Sequence, residues 1–169
     1  MKKIFTAATI LFSALLLFSA CGTPSFIRDF IPEKSFTVHM KAIKNSQEFE
    51  ADISCLNENA ITISFTVPKE LSGFKVTTAE NGYTVNIFGI IDEVTGQEIN
   101  SNSLLNVLVE AIRVSVFTNH GLFTEKDDYY EANLSIDSVP VYVTFGKDGY
   151  IRSISAQTLN FSAQFEISG

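Results

Sequence analysis

Few side chains of this chain could do chemistry, and they stand far apart in the sequence. The chain has two histidines: His39 on the polar side of a predicted strand, and His120 in a predicted turn. Neither has an acid or a nucleophile at a spacing that acid–base or covalent catalysis would use. No nucleophile elbow, HExxH, CxxC or phosphate-binding glycine loop occurs. The sequence therefore predicts no enzyme and no cofactor. An enzyme would need a polar site assembled in space, with His39 or His120 beside an acid.

Two groups of acidic residues are candidates for a metal site, and both are typical of solvated surface. Glu48, Glu50 and Asp52 recur at every second position along one predicted strand, and residues 125–128 form a charged turn. A calcium site would need several such oxygens to converge beside a tight glycine. The spacing favours a solvated strand face and a solvated turn, and it predicts no metal site.

The two cysteines have different surroundings. Cys55 lies on the apolar side of a predicted strand, so it is predicted to be a small buried hydrophobe and not a reactive thiolate. Cys21 follows a targeting segment, residues 1–20, which has two lysines near its start and an apolar run over residues 4–18. That run is too short for a good membrane-spanning helix.

The residues around this second cysteine, Phe18-Ser19-Ala20-Cys21-Gly22, resemble the bacterial lipobox. The resemblance implies that residues 1–20 are a lipoprotein signal peptide, that Cys21 becomes diacylglyceryl-modified, and that residues 21–34 are a lipidated tether. Two acyl chains give a stable anchor, so the protein is expected on the extracytoplasmic face of the cell membrane. One departure is Phe18, where lipoboxes usually have leucine or another aliphatic residue. The alternative is an ordinary secretory signal with an incidental cysteine.

Charge limits the possible partners. Without Lys2 and Lys3 of the targeting segment, 10 basic side chains face 19 acidic ones, a net charge of −9. Phosphate binding needs clustered Lys and Arg, so nucleic acid is not an expected partner. Electrostatic docking on an anionic membrane is disfavoured for the same reason. Any membrane attachment is therefore expected to be covalent or hydrophobic.

Residues 100–119 are predicted to form the one long helix of the mature chain, capped by Ser101 or Ser103. Apolar residues recur there at three- and four-residue spacing, as in a helix that is covered on most sides. The β-branched stretch 114–117 leaves a strand as an alternative for that part. The polar interruptions fall on one narrow side of the helix: Asn106, Glu110 and Arg113.

The rest of the chain, from residue 35 onward, alternates apolar and polar residues with a period of two. Such strands bury one face each, and turn signals such as Asn81-Gly82 separate them. The pattern predicts an α+β fold: about nine antiparallel strands in a curved, unclosed half-barrel, wrapped around one main helix that follows the fifth strand. Residues 35–169 are predicted to be a single domain.

Phenylalanine is unusually frequent, with 15 copies against no tryptophan. Most copies beyond the tether occupy predicted inward faces, whereas Phe88 is in register with an outer face and is interpreted as the mark of a bulge. The apolar tether residues Phe26, Ile27, Phe30 and Ile31 have two alternatives: packing on the domain or lying at the membrane interface. Two interpretations of the inward rings follow: a packed core that is rich in aromatics, or a cavity between sheet and helix that accepts acyl chains. The candidate ligand-contacting residues of such a cavity are Phe49, Phe65, Leu105, Leu108, Ile112, Phe145 and Phe165.

Four features of the chain together resemble LolA/LolB/LppX-like lipoproteins. They are a lipobox, a one-sided meander, the break Pro68-Lys69-Glu70-Leu71-Ser72-Gly73-Phe74 and the stretch Asn81-Gly82-Tyr83-Thr84-Val85. Small lipoproteins of Gram-positive bacteria are similar too. The resemblance implies an unclosed β-barrel with a helical lid, which binds acyl chains of lipids or lipoproteins without catalysis. Two features depart from it: the soluble carriers of that family lack a lipid anchor, and only Arg113 could match their lid arginine.

The sequence thus predicts a membrane-anchored lipoprotein that binds a hydrophobic ligand between sheet and helix. Its expected partners are the membrane, through lipidated Cys21, and a lipid or lipoprotein cargo. The alternative is a structural or protein-interaction lipoprotein with a fully packed core, which would act through a sheet edge or the polar strand faces.

Overall fold

A computed structural model describes residues 30–80, 82–95, 103–118 and 123–168 of the chain. In these ranges it has eleven strands, one α-helix and two short 3₁₀ turns. Their bounds are β1 Phe36–Lys44, β2 Gln47–Asn57, β3 Ala60–Val67, a 3₁₀ turn Lys69–Leu71, β4 Phe74–Ala79, β5 Gly82–Ile87, β6 Ile90–Thr95, α1 Leu104–Phe117, β7 Phe123–Glu125, β8 Tyr129–Ile136, β9 Val139–Gly146, β10 Ile151–Ala156, a 3₁₀ turn Gln157–Leu159 and β11 Phe161–Ile167.

All eleven strands belong to one antiparallel sheet, in the order β6-β5-β4-β3-β2-β1-β11-β10-β9-β8-β7. Two meanders, β1–β6 and β7–β11, are joined where β1 pairs with β11, for example at Met40 and Phe165. The outermost strands β6 and β7 are not hydrogen-bonded to each other, so the sheet is unclosed. The predicted α+β class, with one helix against an unclosed antiparallel sheet, is confirmed.

The sheet has two strands more than the approximate nine that the pattern predicts. The additional strands are β6 and β7, so the helix follows the sixth strand and not the fifth. In β6, the adjacent Ile90 and Ile91 are both exposed, so this strand lacks the alternation that reveals a half-buried strand. β7 has three residues, which is too short for any period to show.

Alternation decides which face of each strand is buried. In β1, the side chains of Phe36, Val38, Met40 and Ala42 are buried, and the residues between them are exposed or half-buried. Successive side chains of a strand point to opposite faces, so a period of two places every apolar residue on one side. The same pattern in β8, β9 and β11 extends this apolar inner face across the sheet.

The helix α1 begins at Leu104, directly after its N-cap residue Ser103. The Ser103 side chain accepts a hydrogen bond from the backbone N–H of Asn106 at 3.2 Å, which satisfies one free amide of the first turn. Of the two predicted caps, Ser103 is therefore confirmed, and Ser101 lies outside the described residues. The strand alternative for residues 114–117 is wrong, because these residues complete the helix, with Val116 fully buried. The predicted stop at residues 119–121 lies outside the described residues.

The polar side of α1 ties the helix to three parts of the sheet. The Tyr83 hydroxyl of β5 donates to Asn106 Oδ1 at 3.2 Å, and Asn106 Nδ2 donates to Asp137 Oδ2 at 3.2 Å, in the β8–β9 turn. Arg113 pairs with Glu110 and donates from Nε to the backbone oxygen of Glu58 at 3.2 Å. These contacts hold the helix in one position over the inner face.

Among the residues that the structure describes, no helix combines the length and apolar character that crossing a membrane requires.

Candidate functional site

A cavity of about 240 Å³ lies between the first half of α1 and the inner face of the sheet. Its wall is mostly apolar, and the sheet side comes from β1, β2, β3 and β11. The lining residues are Met40, Ala42, Lys44, Phe49, Phe65, Leu71, Leu104, Leu105, Leu108 and Phe161.

Four of the seven predicted ligand-contacting residues meet at this cavity: Phe49, Phe65, Leu105 and Leu108. Phe49 and Phe65 project from neighbouring strands, and the two leucines come from the first turns of the helix. The alternation of β2 and β3 and the helical spacing of α1 place all four on facing sides. The cavity stays open partly because the side chain beside Phe49 on the neighbouring strand is small. This residue is Ala42, which is paired with Phe49.

The other three predicted residues do not line the cavity. Ile112 is fully buried one turn further along the helix than Leu108. Phe165 is buried on β11, where it is paired with Met40, and Phe145 is buried against Phe123 of β7. Alternation predicted the inward face of each strand residue correctly, but it carries no information about how far that point of the sheet lies from the helix.

Six cavity residues were not among the candidates: Met40, Ala42, Lys44, Leu71, Leu104 and Phe161. Met40 and Phe161 were on predicted inward faces, so the sequence did contain a signal for them. Leu71 belongs to the short turn Lys69–Leu71, which interrupts the strand pattern after Pro68 and has no periodicity to read. Lys44 is the one charged residue of the described lining, and it stands at the end of β1.

A second aromatic region, called here the Phe30 cluster, is filled by the chain itself. The ring of Phe30 stacks on Tyr130 with centroids 3.9 Å apart and meets Phe123 edge-on at 4.8 Å. Phe145 completes the cluster, with its ring centroid 5.5 Å from that of Phe123 and 5.8 Å from that of Phe30. Of the two alternatives for the apolar tether residues, packing on the domain is observed for Phe30, whereas Ile31 is 72% exposed and residues 26 and 27 lie outside the described residues.

The ends of this cluster are fixed by polar contacts. The backbone N–H of Glu33 donates to the carbonyl of Gly149 at 2.9 Å, which holds the incoming segment against the β9–β10 turn. Lys147 Nζ lies 4.2 Å from the centre of the Tyr130 ring and 2.7 Å from Glu125 Oε1. The hydrogen bond to Glu125 raises the pKa of Lys147.

The groups with acid–base character lie away from the cavity. His39 Nδ1 is 2.9 Å from Asp52 Oδ1, and His39 Nε2 is 3.5 Å from Glu50 Oε2, all on the polar outer face of β1 and β2. A histidine beside an acid thus exists, but on the face of the sheet opposite the apolar cavity. His120 lies outside the described residues. Within the described ranges, no group of three or more His, Cys, Asp or Glu side chains could hold a metal ion.

Cys55 is fully buried on the inner face of β2, as its position in the pattern predicts. Its thiol lies 3.6 Å from the carbonyl oxygen of Lys34. Burial raises the pKa of Cys55 to about 11, so the thiol keeps its proton at neutral pH. A thiol without its thiolate form is a poor nucleophile and a poor metal ligand.

No protein-family model matches the chain, and no curated protein matches it. Among solved structures, the chain is similar to a LolA superfamily protein, NE2245 from Nitrosomonas europaea. The two chains are 8% identical, with a TM-score of 0.41, over 82% of this chain and 86% of that one.

Proposed function

We propose that this chain is a non-catalytic lipoprotein that binds the acyl chain of a lipid or lipoprotein in the cavity between α1 and the sheet. It is anchored to the extracytoplasmic face of the cell membrane through acylated Cys21. The observation that carries the ligand part of the proposal is the cavity itself. It is lined by residues such as Phe49, Phe65 and Leu105, and its wall is mostly apolar.

The size and chemistry of the cavity favour a narrow apolar ligand. Its volume of about 240 Å³ is below the range of roughly 300 to 1,000 Å³ that drug-sized ligands occupy. One acyl chain suits such a space better than a lipid with two chains inside. Each buried methylene contributes about 0.8 kcal/mol, so the affinity should rise with the length of acyl chain that enters the cavity. Because Lys44 is part of the lining, its positive charge favours an acyl chain that ends in an anionic group.

The same small volume also favours the second candidate, a structural or protein-interaction lipoprotein whose interior is effectively full. The two candidates differ in one measurable property, namely whether the intact protein carries a non-covalent lipid. Native mass spectrometry of the full chain, purified from the membrane of a lipid-containing host, makes this measurement. We expect a mass beyond the acylated polypeptide, which organic solvent extracts and which incubation with vesicles restores.

The matched variants for this measurement are Ala42→Phe and Ala163→Phe. Both alanines are buried and they are paired across β1 and β11, but only Ala42 lines the cavity. We expect Ala42→Phe to fill the cavity and abolish the bound lipid, whereas Ala163→Phe retains it. A wild-type protein with no bound lipid before or after incubation with vesicles would favour the fully packed alternative.

The anchor has its own test, because the chain has two cysteines. We expect Cys21→Ser to abolish metabolic labelling of the protein with an alkyne-tagged fatty acid. Cys55→Ser is the matched control and should retain the full label, since Cys55 is buried. Labelling that persists in Cys21→Ser would contradict the anchor.

A further inference from the structure

The end of the β5–β6 hairpin, residues 87–91 and called here the tip, is an exposed apolar surface. Ile87 is 44% exposed, Phe88 73%, Ile90 75% and Ile91 66%. Exposed apolar residues that stand alone need no explanation, but contiguous ones mark a surface that meets something apolar. The tip has four of them among five consecutive residues, with Gly89 between.

The conformation of the turn adds an independent observation. Phe88 has φ +52° and Gly89 has φ +91°, as a two-residue hairpin turn of this type requires. Such turns prefer Asn or Asp at the first position, because bulky side chains rarely adopt a positive φ. The β1–β2 and β8–β9 hairpins follow that preference, with Asn45-Ser46 and Asp137-Ser138 at positive φ. The tip instead holds a phenylalanine in a conformation that strains it, and such strain accompanies functional positions.

The turn position of Phe88 also corrects the bulge that its register predicts. The residue lies between β5 and β6, in the turn and not within a strand. Its register with an outer face therefore reflects the reversal of the chain and not an extra residue in a ladder.

The distribution of side chains around the tip favours a lipid bilayer over a folded protein as its partner. Ile87 and Ile90 are paired and share one face of the hairpin, whereas Ile91 is paired with Asn86 and lies on the other face. A folded protein that covered one face would leave the other in water. A lipid bilayer surrounds an inserted tip on every side, so apolar residues on both faces fit a bilayer. The tip carries no charged residue, which fits hydrophobic insertion by a chain of net negative charge.

The tip also adjoins the cavity through two chains of contact. Phe74 is paired with Ile87, and its ring lies 5.7 Å from that of Phe65, which lines the cavity. The ring of Phe88 packs on Gly73, where an added Cβ would lie 3.3 Å from it, two residues after Leu71 of the cavity wall. A bilayer at the tip would therefore lie beside the cavity lining.

We propose that the tip inserts into the interfacial region of a lipid bilayer, with Phe88 as its leading side chain. The exposure of the tip, the conformation of its turn and its two-sided apolar surface support this insertion. It requires neither acylation of Cys21 nor a ligand in the cavity.

The absence of tryptophan from the sequence makes a direct test possible. Phe88→Trp introduces one tryptophan at the tip of the full chain, which is reconstituted into phosphatidylcholine vesicles with brominated acyl chains. We expect a blue-shifted emission and loss of most of it by bromine quenching. The control is Tyr142→Trp, which replaces an exposed aromatic side chain on the outer face of β9 and should remain unquenched. Equal quenching in both variants, or in neither, would overturn the proposal.

Two further measurements distinguish bilayer insertion from lipid held in the cavity and from self-association. In the Ala42→Phe background, which fills the cavity, quenching of the F88W emission should persist, because its source is the bilayer and not a lipid held inside. Its loss there would overturn the proposal. A blue shift that grows with protein concentration and is insensitive to bromine would also overturn it, in favour of a second copy of this chain.

Phe88→Asn tests the leading side chain without endangering the fold, because asparagine suits the turn. In Ile90→Trp we expect strong bromine quenching, and in the double variant F88N/I90W we expect most of that quenching to be lost. The thermal midpoint of F88N should be unchanged or higher than that of the wild type. Undiminished quenching in the double variant would contradict the role of Phe88.

Discussion

The Phe30 cluster and the cavity are two aromatic regions of the same interior, and only one of them is full. Both take rings from inward positions of neighbouring strands. In the Phe30 cluster, a ring from the segment before β1 enters the space, with its centroid 3.9 Å from that of Tyr130 and 4.8 Å from that of Phe123. In the cavity, Phe49 and Phe65 face Leu105 across about 240 Å³ of space.

A high content of phenylalanine therefore does not by itself make a ligand site. Dense packing in one region comes from an additional chain segment that supplies Phe30 and is held by the Glu33–Gly149 hydrogen bond. In the other region the sheet has small Ala42 beneath the helix, and no side chain of the described residues fills the gap. Whether a region leaves room for a ligand depends on the local partner of the rings and not on their number.

The largest expected effect comes from shortening one ring in each region. Phe145→Ala should lower the free energy of unfolding by about 3–5 kcal/mol, because Phe145 is fully buried among other rings. Phe65→Ala should lower it by roughly half as much, because its half-buried ring already borders empty space. Urea denaturation of both variants makes the comparison, and equal losses would show that the two regions are packed alike.

Phe30→Ala should convert the filled region into a second open one. We expect a loss of about 2 kcal/mol in the free energy of unfolding, since Phe30 is half-buried and contacts three rings. Ile31→Ala is the control, because Ile31 is 72% exposed and should change stability little. A loss no larger for Phe30→Ala than for Ile31→Ala would mean that the segment does not contribute to the core in solution.

The paired alanines provide a stability comparison as well as a ligand test. Ala163→Phe should lower the free energy of unfolding by about 1–3 kcal/mol, because it adds volume to a packed part of the sheet. Ala42→Phe should leave the free energy of unfolding unchanged or raise it, because the new ring enters the cavity. Thermal denaturation without lipid gives both values, and a similar loss in the two variants would contradict an open cavity.

A smaller effect is expected from Cys55, which contacts the segment before β1 through Lys34. Burial raises the pKa of Cys55 from 9.0 to about 11. Between these values the unfolded thiol has lost its proton while the folded thiol keeps it, so stability should fall as the pH rises from about 9. Cys55→Ala should flatten this fall in urea titrations between about pH 8.5 and 10. Tyr83, whose pKa burial raises from 10.0 to about 12, contributes at higher pH.

Much of the fold could be predicted from sequence, because the buried face of a strand and the start of a helix depend on patterns of short range. A period of two predicts the buried faces of β1, β2, β8, β9 and β11, and a serine followed by helical spacing predicts the start of α1. The sequence could predict four of the cavity residues, because the strand and helix patterns together predict facing apolar surfaces. These four are Phe49, Phe65, Leu105 and Leu108.

The rest could not be predicted, because it depends on distances across the fold. Alternation assigns Phe145 and Phe49 the same inward orientation, but their surroundings differ, because Phe30 and Phe123 pack beside Phe145 whereas the small Ala42 is paired with Phe49. The strand β6 was missed because its exposed isoleucines break alternation, and the turn at Phe88 was missed because its residue type is unusual there. The same residues of the tip carry the proposed bilayer contact, so their departure from the pattern coincides with a candidate function.

The pairing of β1 with β11 has a consequence for how the molecule is made. It is the ladder that joins the two meanders, and its partners, such as Met40 and Phe165, are separated by most of the chain. Each meander consists of contacts between sequence neighbours, which form quickly, whereas closing a loop of this length is slow. The two halves therefore cannot join until β11 has been synthesised. Until then, the edge of β1 that pairs with β11 remains unpaired, while all the strands between them in the sequence are made.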